Sequence, residues 1–464
     1  MQSLLVRWAQ AGVAAFLVTI PVSGVWVGGW TGHDLARAAE LPLMLLCAAA
    51  GCTRALQLPP AAGAVVGLAG LLAAVSIAAA AQPAMALREA ALFLGMAAVA
   101  ACVADGPAGA RRVARAAAAA LALYAAATLL VALAAVLASA APSRMEMLAG
   151  YDNPRFLSHV LTAALPIALA VGLDPDNGVR WRRLAHLALV AGAALAFISA
   201  GRATVLALVV AALAALLCHG RAAWPVAARL LAALAAGALV FAVMFLLLPV
   251  VVHGHAAPAA DYSAARLGSD EARGYLWRLA WQQIESAPWF GVGPMHYAHL
   301  PNAKAAHPHN IVLQLAAEWG LPMAALASAS AGAALLRLAR RLRRLPSADP
   351  RTRVGIALSV GLVAVAVDGM ASGNFVMPAS QVWIAVLAGL SLAWWRACGE
   401  AQRRPGAGQG RFARGLALSI LTVLWLAFVP ALIETRGLAQ RMLDAQKLHP
   451  TERIQPRFWS SGRF

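Results

Sequence analysis

Charged residues are scarce in this 464-residue chain. They make up 12% of it, whereas hydrophobic residues make up 62% and the mean hydropathy is +0.72. Soluble globular proteins carry about 25% charged residues, so this composition excludes a water-solvated surface over most of the chain. No stretch is long and polar enough to form a separate soluble domain. We therefore predict a single transmembrane domain over residues 1–464.

Other chemical signatures are also missing. Nothing in the sequence resembles a nucleotide-binding glycine loop, a paired-carboxylate hydrolase or a metal site, so we expect no cofactor and no metal ion. None of the five cysteines falls in a segment predicted to lie outside, so no disulfide framework is expected. The run after Arg7 stays apolar to about Trp30 without a small-residue cleavage site, which favours a retained signal anchor.

Basic residues outnumber acidic ones, 37 to 19, for a net charge of +18. The arginines cluster in short loops at every second gap between apolar runs. This alternation is the positive-inside rule, by which such loops face the cytoplasm. The charge therefore predicts orientation in a bacterial inner membrane, not a nucleic-acid partner. The clusters are Arg111, Arg112 and Arg115; Arg180, Arg182 and Arg183; Arg221 and Arg229; Arg337 to Arg344; Arg351 and Arg353; and Arg403, Arg404, Arg411 and Arg414.

The apolar runs are long enough to cross a bilayer core. They predict an all-α, polytopic integral membrane protein with about 12–13 transmembrane helices. If all of them cross, the basic C-terminal tail, residues 434–464, lies outside; if one does not cross, or the last is re-entrant, the tail is cytoplasmic. The runs lie near residues 9–29, 39–56, 60–81, 86–104, 116–140, 157–173, 184–200, 203–218, 229–252, 321–338, 354–372, 377–395 and 415–433.

One connection is far longer than the others. Residues 253–310 follow the ninth span, and the count of spans places them in the periplasm. Long external loops tend to carry function, so we expect this large periplasmic loop to carry the catalytic region. Two amphipathic helices are predicted at the outer membrane surface, from Asp270 to Ser286 and from Asn310 to Gly320.

The loop ends in His307-Pro308-His309-Asn310. A neutral imidazole there can take a proton from an acceptor hydroxyl, because its ordinary pKa lies near neutrality. The alternative is structural: Asn310 or His309 caps the helix that follows.

Several arginines lie at or outside the same membrane edge. Arg202 sits in a very short gap between spans, where a cation is costly unless it meets an anion or a buried partner; the alternative is snorkelling to lipid headgroups. Arg266, Arg273 and Arg278 lie in the long loop, and Arg273 shares a helical face with Trp277. Such arginines either bind phosphate bidentately or anchor the loop in lipid.

These features together describe a plausible reaction. A lipid diphosphate donor needs positive charge, because negative charge grows on the leaving group in the transition state. The acceptor hydroxyl needs a base, which a loop histidine supplies. Glu318 and Asp368 are the acidic candidates for a supporting role, either in positioning or in transport.

Three motifs resemble the O-antigen ligase/polymerase superfamily: Pro288 to Pro294 (PWFGVGP), His307 to Asn310, and Glu318 to Pro322 (EWGLP). Two finer patterns are similar to those of the lipopolysaccharide O-antigen ligases. One is an arginine followed by leucine four residues later, here Arg202 and Leu206; the other runs from His309-Asn310 to Gly320. The second pattern normally ends in Gly, Thr or Tyr, where this chain has Met323.

The resemblance implies a metal-independent, inverting glycosyltransferase that takes a glycan from undecaprenyl diphosphate in the periplasm. It implies that His309, beside His307, is the base or acceptor-activating residue. It implies further that Arg202 and Arg273, with Arg278 nearby, hold the diphosphate, and that Asn310 supports the site.

The acceptor is not legible from the sequence. Lipid A-core is the first choice, as for an O-antigen ligase; a growing glycan or a protein hydroxyl is the alternative, as for a polymerase or a protein O-oligosaccharyltransferase. The competing class is a transporter or flippase of lipid-linked sugar, which would place charges deep in several spans and show repeat symmetry. Residues 151–155 (YDNPR) have no role that the sequence assigns.

Overall fold

The computed structural model describes most of the chain. All regular secondary structure in the described residues is helical, with no β-strand among them. Arg266 and the rest of residues 255–270 lie outside the described residues, as do residues 301–303. The described segments are residues 2–23, 30–52, 60–138, 148, 150–254, 271–300, 304–398, 407–448 and 456–462.

We number the α-helices in chain order. The first ten are α1 (Gln2–Ser23), α2 (Gly32–Cys52), α3 (Pro60–Ala79), α4 (Pro83–Val103), α5 (Pro107–Leu137), α6 (Pro154–Leu173), α7 (Val179–Ile198), α8 (Arg202–His219), α9 (Trp224–Ala242) and α10 (Leu248–His253). The others are α11 (Glu271–Ser286), α12 (Ile311–Trp319), α13 (Leu321–Arg344), α14 (Pro350–Gly369), α15 (Pro378–Ala397), α16 (Ala407–Glu434) and α17 (Leu438–Leu448).

Thirteen spans among the described residues are long and apolar enough to cross a membrane. The π-helical turn Val243–Leu247 joins α9 and α10 into one of them. This confirms the prediction of an all-α, multi-pass membrane protein. The two amphipathic helices predicted in and after the long loop are also confirmed, as α11 and α12.

Some predicted bounds are wrong by several residues. The second span begins at Gly32, not near residue 39. The reason is tertiary: the Asp152 carboxylate accepts hydrogen bonds from the backbone N–H groups of Gly32 and His33, at 2.8 and 2.7 Å, and so caps α2 from a distant part of the chain. Polar residues such as Arg37, which local hydropathy excluded from the span, are therefore buried within the helix.

Helix α6 lies at the centre of the packing and α3 at its edge. In α6, 89% of the apolar window is buried inside the protein, and the helix packs against α7 and α14; in α3 the figure is 6%. An apolar helix with so little protein contact faces lipid if it crosses the membrane. Small residues allow close approach in the interior, because a Cβ on Gly237 of α9 would lie 2.6 Å from the Ala193 backbone of α7.

The helix ends form two faces. We call one the arginine-rich face: residues 104–115, 174–183, 218–229, 340–353 and 396–398. Contacts between these segments place them together, in agreement with the predicted alternation of charge. The contacts join Arg111 to Asp176 (2.5 Å), Arg343 to the Cys218 carbonyl (2.8 Å), and Arg396 to the Ala104 carbonyl (3.4 Å).

We call the opposite face the histidine face: residues 30–37, 80–83, 150–159, 198–204, 271–300, 304–310, 368–378 and 456–462. Its segments are joined by contacts of Gly32 with Asp152, Gln82 with His296, Arg273 with Ala371, and Arg37 with Phe458. The C-terminal residues 456–462 therefore share a face with the long loop, as expected if every span crosses.

Candidate functional site

The histidine turn, residues 307–310, lies at the start of α12. His309 has φ +54°, a left-handed conformation uncommon for a residue with a side chain. Asn310 caps α12, because its Oδ1 accepts hydrogen bonds from the N–H groups of Val312 and Leu313, both at 3.0 Å. The capping role therefore belongs to Asn310, and the His309 imidazole is not needed for it.

Helix α11 and the segment after α14 both contact the histidine turn. Trp277 of α11 donates its indole N–H to the Pro308 carbonyl at 3.1 Å. Asn310 Nδ2 donates to the Met370 carbonyl at 3.2 Å, after the end of α14. Gly373 leaves room for the turn, because a Cβ there would lie 2.3 Å from Cε1 of His307. The position of the turn therefore depends on contacts with α11 and with the residues that follow α14.

The two imidazoles form a pair. Their ring centroids are 4.2 Å apart, nearly perpendicular, and His307 Nδ1 accepts a hydrogen bond from the His309 backbone N–H at 3.3 Å. Neutral His307 therefore carries its proton on Nε2. His307 is fully enclosed, whereas His309 is only partly buried. Of the two, His309 is the imidazole that an incoming molecule can reach.

Burial and two cations act on His309. Burial is the largest influence, and the nearby guanidinium groups of Arg155 and Arg273 add to it, so the pKa of His309 falls from 6.5 to about 3. Burial, followed by His309 and Arg457, lowers the pKa of His307 well below its ordinary value. Both rings are therefore neutral at physiological pH, and His309 is a proton acceptor in a positive environment.

Arg273 and Arg155 reach the turn from different elements. Arg273 of α11 also donates to the Ala371 carbonyl at 3.3 Å, which ties α11 to the end of α14. Arg155 is an exposed residue in the first turn of α6, and Asn153 caps that turn by accepting from its backbone N–H at 2.9 Å. The segment that the sequence left without a role, residues 151–155, thus places a cation near His309.

Arg202 begins α8 on the same face and is exposed. Its helix start is fixed by Thr204, whose hydroxyl donates to the Ser158 carbonyl at 2.9 Å, and by Thr162, whose hydroxyl donates to Thr204 Oγ1 at 3.1 Å. The guanidinium therefore stands at the membrane edge next to α6, the helix that carries Arg155.

Asp368 is buried in the last turn of α14, beneath the surface of the histidine face. Its Oδ2 accepts a hydrogen bond from Ser372 (2.9 Å), and lies 3.3 Å from the Thr162 hydroxyl oxygen and 3.8 Å from His159 Nδ1. His159 Nδ1 and Asp368 Oδ1 are buried without a hydrogen-bond partner among the described residues. His159 also lies close enough to His309 to interact electrostatically. Asp368 therefore lies beneath the surface of the histidine face, beside His159.

Glu318 does not contact the imidazoles. It is fully buried near the end of α12, where its Oε1 accepts from the Tyr297 backbone N–H at 3.0 Å and its Oε2 from Arg457 Nη2 at 2.6 Å. Burial, opposed by Arg457 and reinforced by the nearby Glu89 carboxylate, raises the pKa of Glu318 to about 7. Its contacts are those of an anchor between segments.

The two glycine-containing motifs interlock. Gly293 donates its N–H to the Glu318 carbonyl at 3.0 Å, and Leu321 donates to the Pro288 carbonyl at 2.8 Å. A Cβ on Gly291 would lie 2.3 Å from the Glu318 backbone, and one on Gly320 would lie 2.3 Å from the Trp289 carbonyl oxygen. The PWFGVGP and EWGLP motifs therefore form one backbone joint, which sets where α12 ends.

Arg278 is placed apart from the histidine turn. It lines an open groove on α11 with Trp277, Trp281 and Leu313. No contact between the described residues ties its guanidinium to His309. Nor do the described residues contain a cluster of three or more His, Cys, Asp and Glu side chains that could hold a metal ion.

Sequence reasoning missed several residues of this face. Arg37 is completely buried and donates to Gln381 Oε1 (2.6 Å), the Val376 carbonyl (2.9 Å) and the Phe458 carbonyl (3.2 Å). Arg155 and His159 were visible only as an i, i+4 pair on α6, a spacing that places both on one helical face.

A comparison with known protein families gives a match over part of the chain. No curated protein matches the chain. A family model described as O-antigen ligase matches residues 187–328, a range that contains Arg202, Arg273, Arg278, the histidine turn and Glu318. The match supports a glycan transferase of the O-antigen ligase/polymerase type, and it confirms the predicted resemblance of residues 187–328 of this multi-pass membrane protein to the O-antigen ligase-like superfamily.

Proposed function

We propose that this protein transfers a glycan from undecaprenyl diphosphate to an acceptor at the periplasmic face of a bacterial inner membrane, with lipid A-core as the preferred acceptor. One observation carries the proposal: the partly buried imidazole of His309 is neutral and lies within the electrostatic reach of Arg155 and Arg273. A base surrounded by cations suits a reaction between a hydroxyl group and an anionic leaving group.

The chemistry follows from these charges. His309 takes the proton from the acceptor hydroxyl while that oxygen attacks the anomeric carbon of the donor. The bond from this carbon to the diphosphate oxygen breaks, and its electron pair leaves with undecaprenyl diphosphate. Attack from the side opposite the leaving group inverts the anomeric centre. No metal is needed in this scheme, because guanidinium groups stabilise the charge that grows on the diphosphate.

Donor binding would also improve the base. A pKa near 3 makes free His309 a weak proton acceptor. A diphosphate that neutralises Arg155 and Arg273 removes part of the positive field and so raises the pKa of His309. The base would thus become stronger only when the donor is in place.

In this proposal the other predicted site residues either bind the donor or hold the site in place. Arg202 and Arg273 hold the diphosphate, and Arg278 meets the donor farther along the α11 groove. Asn310 fixes the turn through its cap, and Asp368 supports α6 from below. Residues 253–310 form the catalytic loop.

A transporter of lipid-linked sugar is less well supported. It would place charges deep in several spans. The buried charges of the described residues instead lie in the half of each helix nearest the histidine face: Arg37 and Glu40 in the first three turns of α2, Arg88 and Glu89 in the first two turns of α4, and Asp368 at the end of α14.

Deletion of the gene, followed by a gel of surface glycans, tests the reaction and the acceptor together. For a ligase we expect long chains to be lost from the cell surface while lipid-linked polymer is still made. A band with a single repeat unit would indicate a polymerase, and an intact ladder with an unglycosylated surface protein would indicate a protein O-oligosaccharyltransferase. Normal glycans on lipid and protein would contradict the proposal.

The pH dependence of transfer should carry the signature of His309. Its lowered pKa keeps the free imidazole unprotonated as the pH falls through 6.5, so we expect kcat/KM to show no inflection near 6.5 between about pH 8 and 5. In the unfolded chain the same imidazole takes up a proton below its ordinary pKa, so stability should fall as the pH drops from 6.5 toward 3. An inflection in kcat/KM near 6.5 that disappears in His309→Asn would contradict this assignment.

A further inference from the structure

The C-terminal segment, residues 456–462, packs within the histidine face. Arg457, Phe458, Trp459 and Ser460 are all buried. The segment is held at several points along its backbone. Ser460 donates its N–H to Asp34 Oδ1 at 2.6 Å, and the Phe458 carbonyl accepts from His33 Nε2 at 3.2 Å. Two side chains of the segment also donate hydrogen bonds. Ser460 Oγ donates to the Asp34 carboxylate, and Trp459 Nε1 donates to the Glu434 carboxylate.

Arg457 penetrates farthest into the protein. Its side chain is 1% exposed, and its Nη2 donates to Glu318 Oε2 at 2.6 Å and to Glu89 Oε1 at 3.0 Å. Its Nη1 donates to the Ala306 carbonyl at 3.3 Å. One planar guanidinium thus joins α4, α12 and the loop before the histidine turn, which is the kind of fork that arginine provides and lysine does not.

These partners flank the histidine turn on both sides in sequence. Ala306 immediately precedes His307, and Glu318 belongs to α12, whose N-terminus is capped by the residue after His309. Glu318 also holds the Tyr297 backbone N–H at 3.0 Å. Arg457 therefore fixes the turn at its entry and at the helix into which it leads.

We propose that Arg457 is a positioning residue for the transfer reaction: by clamping Ala306 and Glu318 it holds the histidine turn where His309 can reach the acceptor hydroxyl. The C-terminal segment is then a permanent part of the site, although it lies outside the family-matched residues 187–328. This inference rests on the function proposed above, because it assigns Arg457 a role in that reaction.

The charges around Arg457 favour permanent attachment of the C-terminal segment over its reversible withdrawal. If the segment withdrew, the carboxylates of Glu318 and Glu89 would remain buried without their cation. Breaking a buried ion pair by removing one partner is strongly destabilising. The aromatic side chain of Phe458 adds to the attachment, since the guanidinium carbons of Arg88 and Arg37 lie 5.1 and 5.5 Å from its ring centroid.

The test uses the full-length protein with Arg457→Ala and Arg457→Lys, and with Arg436→Ala as the matched control. Arg436 is an exposed arginine between α16 and α17. The assay measures kcat and the donor KM with undecaprenyl-diphosphate-linked glycan and acceptor. We expect Arg457→Ala to lower kcat by roughly 100-fold with little change in donor KM, because a displacement of about 1 Å in a catalytic group has an effect of that order. Arg457→Lys should lower kcat less, since it keeps the charge beside Glu318 but loses the fork.

Several outcomes discriminate. If kcat for both Arg457 variants equals that of Arg436→Ala, or if donor KM rises while kcat is unchanged, the clamp is refuted. If Arg457→Ala is not recovered from membranes, the folded Arg457→Lys variant decides by the same criterion. The unaltered protein and His309→Ala, assayed alongside, separate the two proposals. No transfer by the unaltered protein overturns the proposed function, and transfer retained by His309→Ala overturns His309 as the base that the clamp positions. Loss of transfer in His309→Ala with normal Arg457 variants overturns only the clamp.

Discussion

Replacing His309 with alanine is expected to abolish glycan transfer, with a loss of about 100-fold to 10,000-fold in rate, the range that a positioned acid–base group contributes. The physical reason is that the acceptor hydroxyl loses its proton acceptor, while the arginines that face the donor remain. Transfer can be measured as the glycan joined to its acceptor, both in cells and with purified protein.

The substitution should leave the fold nearly intact. Residue 309 has φ +54°, a conformation that histidine adopts more readily than alanine, so His309→Ala adds a small backbone cost. Asn310, which provides the cap of α12, is unchanged. His309→Asn is a useful second variant, because asparagine tolerates this conformation better but its amide does not accept a proton. His299→Ala, which removes an exposed histidine of the same loop, is the matched control. Undiminished transfer by both His309 variants would refute the role of His309 as the base.

Gly320→Ala should have the largest effect on stability. Gly320 has φ +87° and ψ 162°, a region that is essentially restricted to glycine and that costs other residues about 1–3 kcal/mol. The added Cβ would also lie 2.3 Å from the Trp289 carbonyl oxygen, a separation that real Cβ atoms do not show. We expect a lower melting temperature in detergent, less protein in the membrane and loss of transfer, because the joint that sets the end of α12 would open.

Gly332→Ala is the control for that experiment. Gly332 lies within α13, and a Cβ there would meet nothing within 4 Å. Alanine favours a helix over glycine, so this variant should be as stable as the natural protein or slightly more stable. If Gly320→Ala melts at the same temperature as Gly332→Ala, the interlocking of the two motifs is not a source of stability.

The sequence predicted the parts of the site that are encoded locally. The motif around His309 and Asn310 predicted either a base or a helix cap. In the structure Asn310 provides the cap, and the role of His309 as the base stays a prediction. The helices α11 and α12 were predicted from the pattern of apolar residues, and both are confirmed. Glu318 was predicted to support the site, and the structure places it in an anchor, away from the imidazoles.

The remainder could not be predicted, because it depends on contacts between distant parts of the chain. Arg37 interrupts an apolar run, so hydropathy placed it outside a span. Apart from Glu40, one helical turn away, its hydrogen-bond partners come from residues more than 300 positions away. Arg155 lies in a segment with no recognised role, and only the packing of α6 beside the histidine turn brings it near His309. For the C-terminal tail, residues 434–464, the sequence showed only a positive charge, which does not predict where Arg457 lies.

Hydropathy, arginine spacing and three short motifs were sufficient by themselves to predict a multi-pass helical membrane protein, a resemblance to the O-antigen ligases, and the turn that carries the histidines. A bilayer imposes length and polarity on each span independently, so these properties can be read one segment at a time. Tertiary structure alone decided which cations surround His309 and where Arg457 lies. Burying a charge requires partners that converge from several elements, and that convergence is a property of the packing of the whole chain.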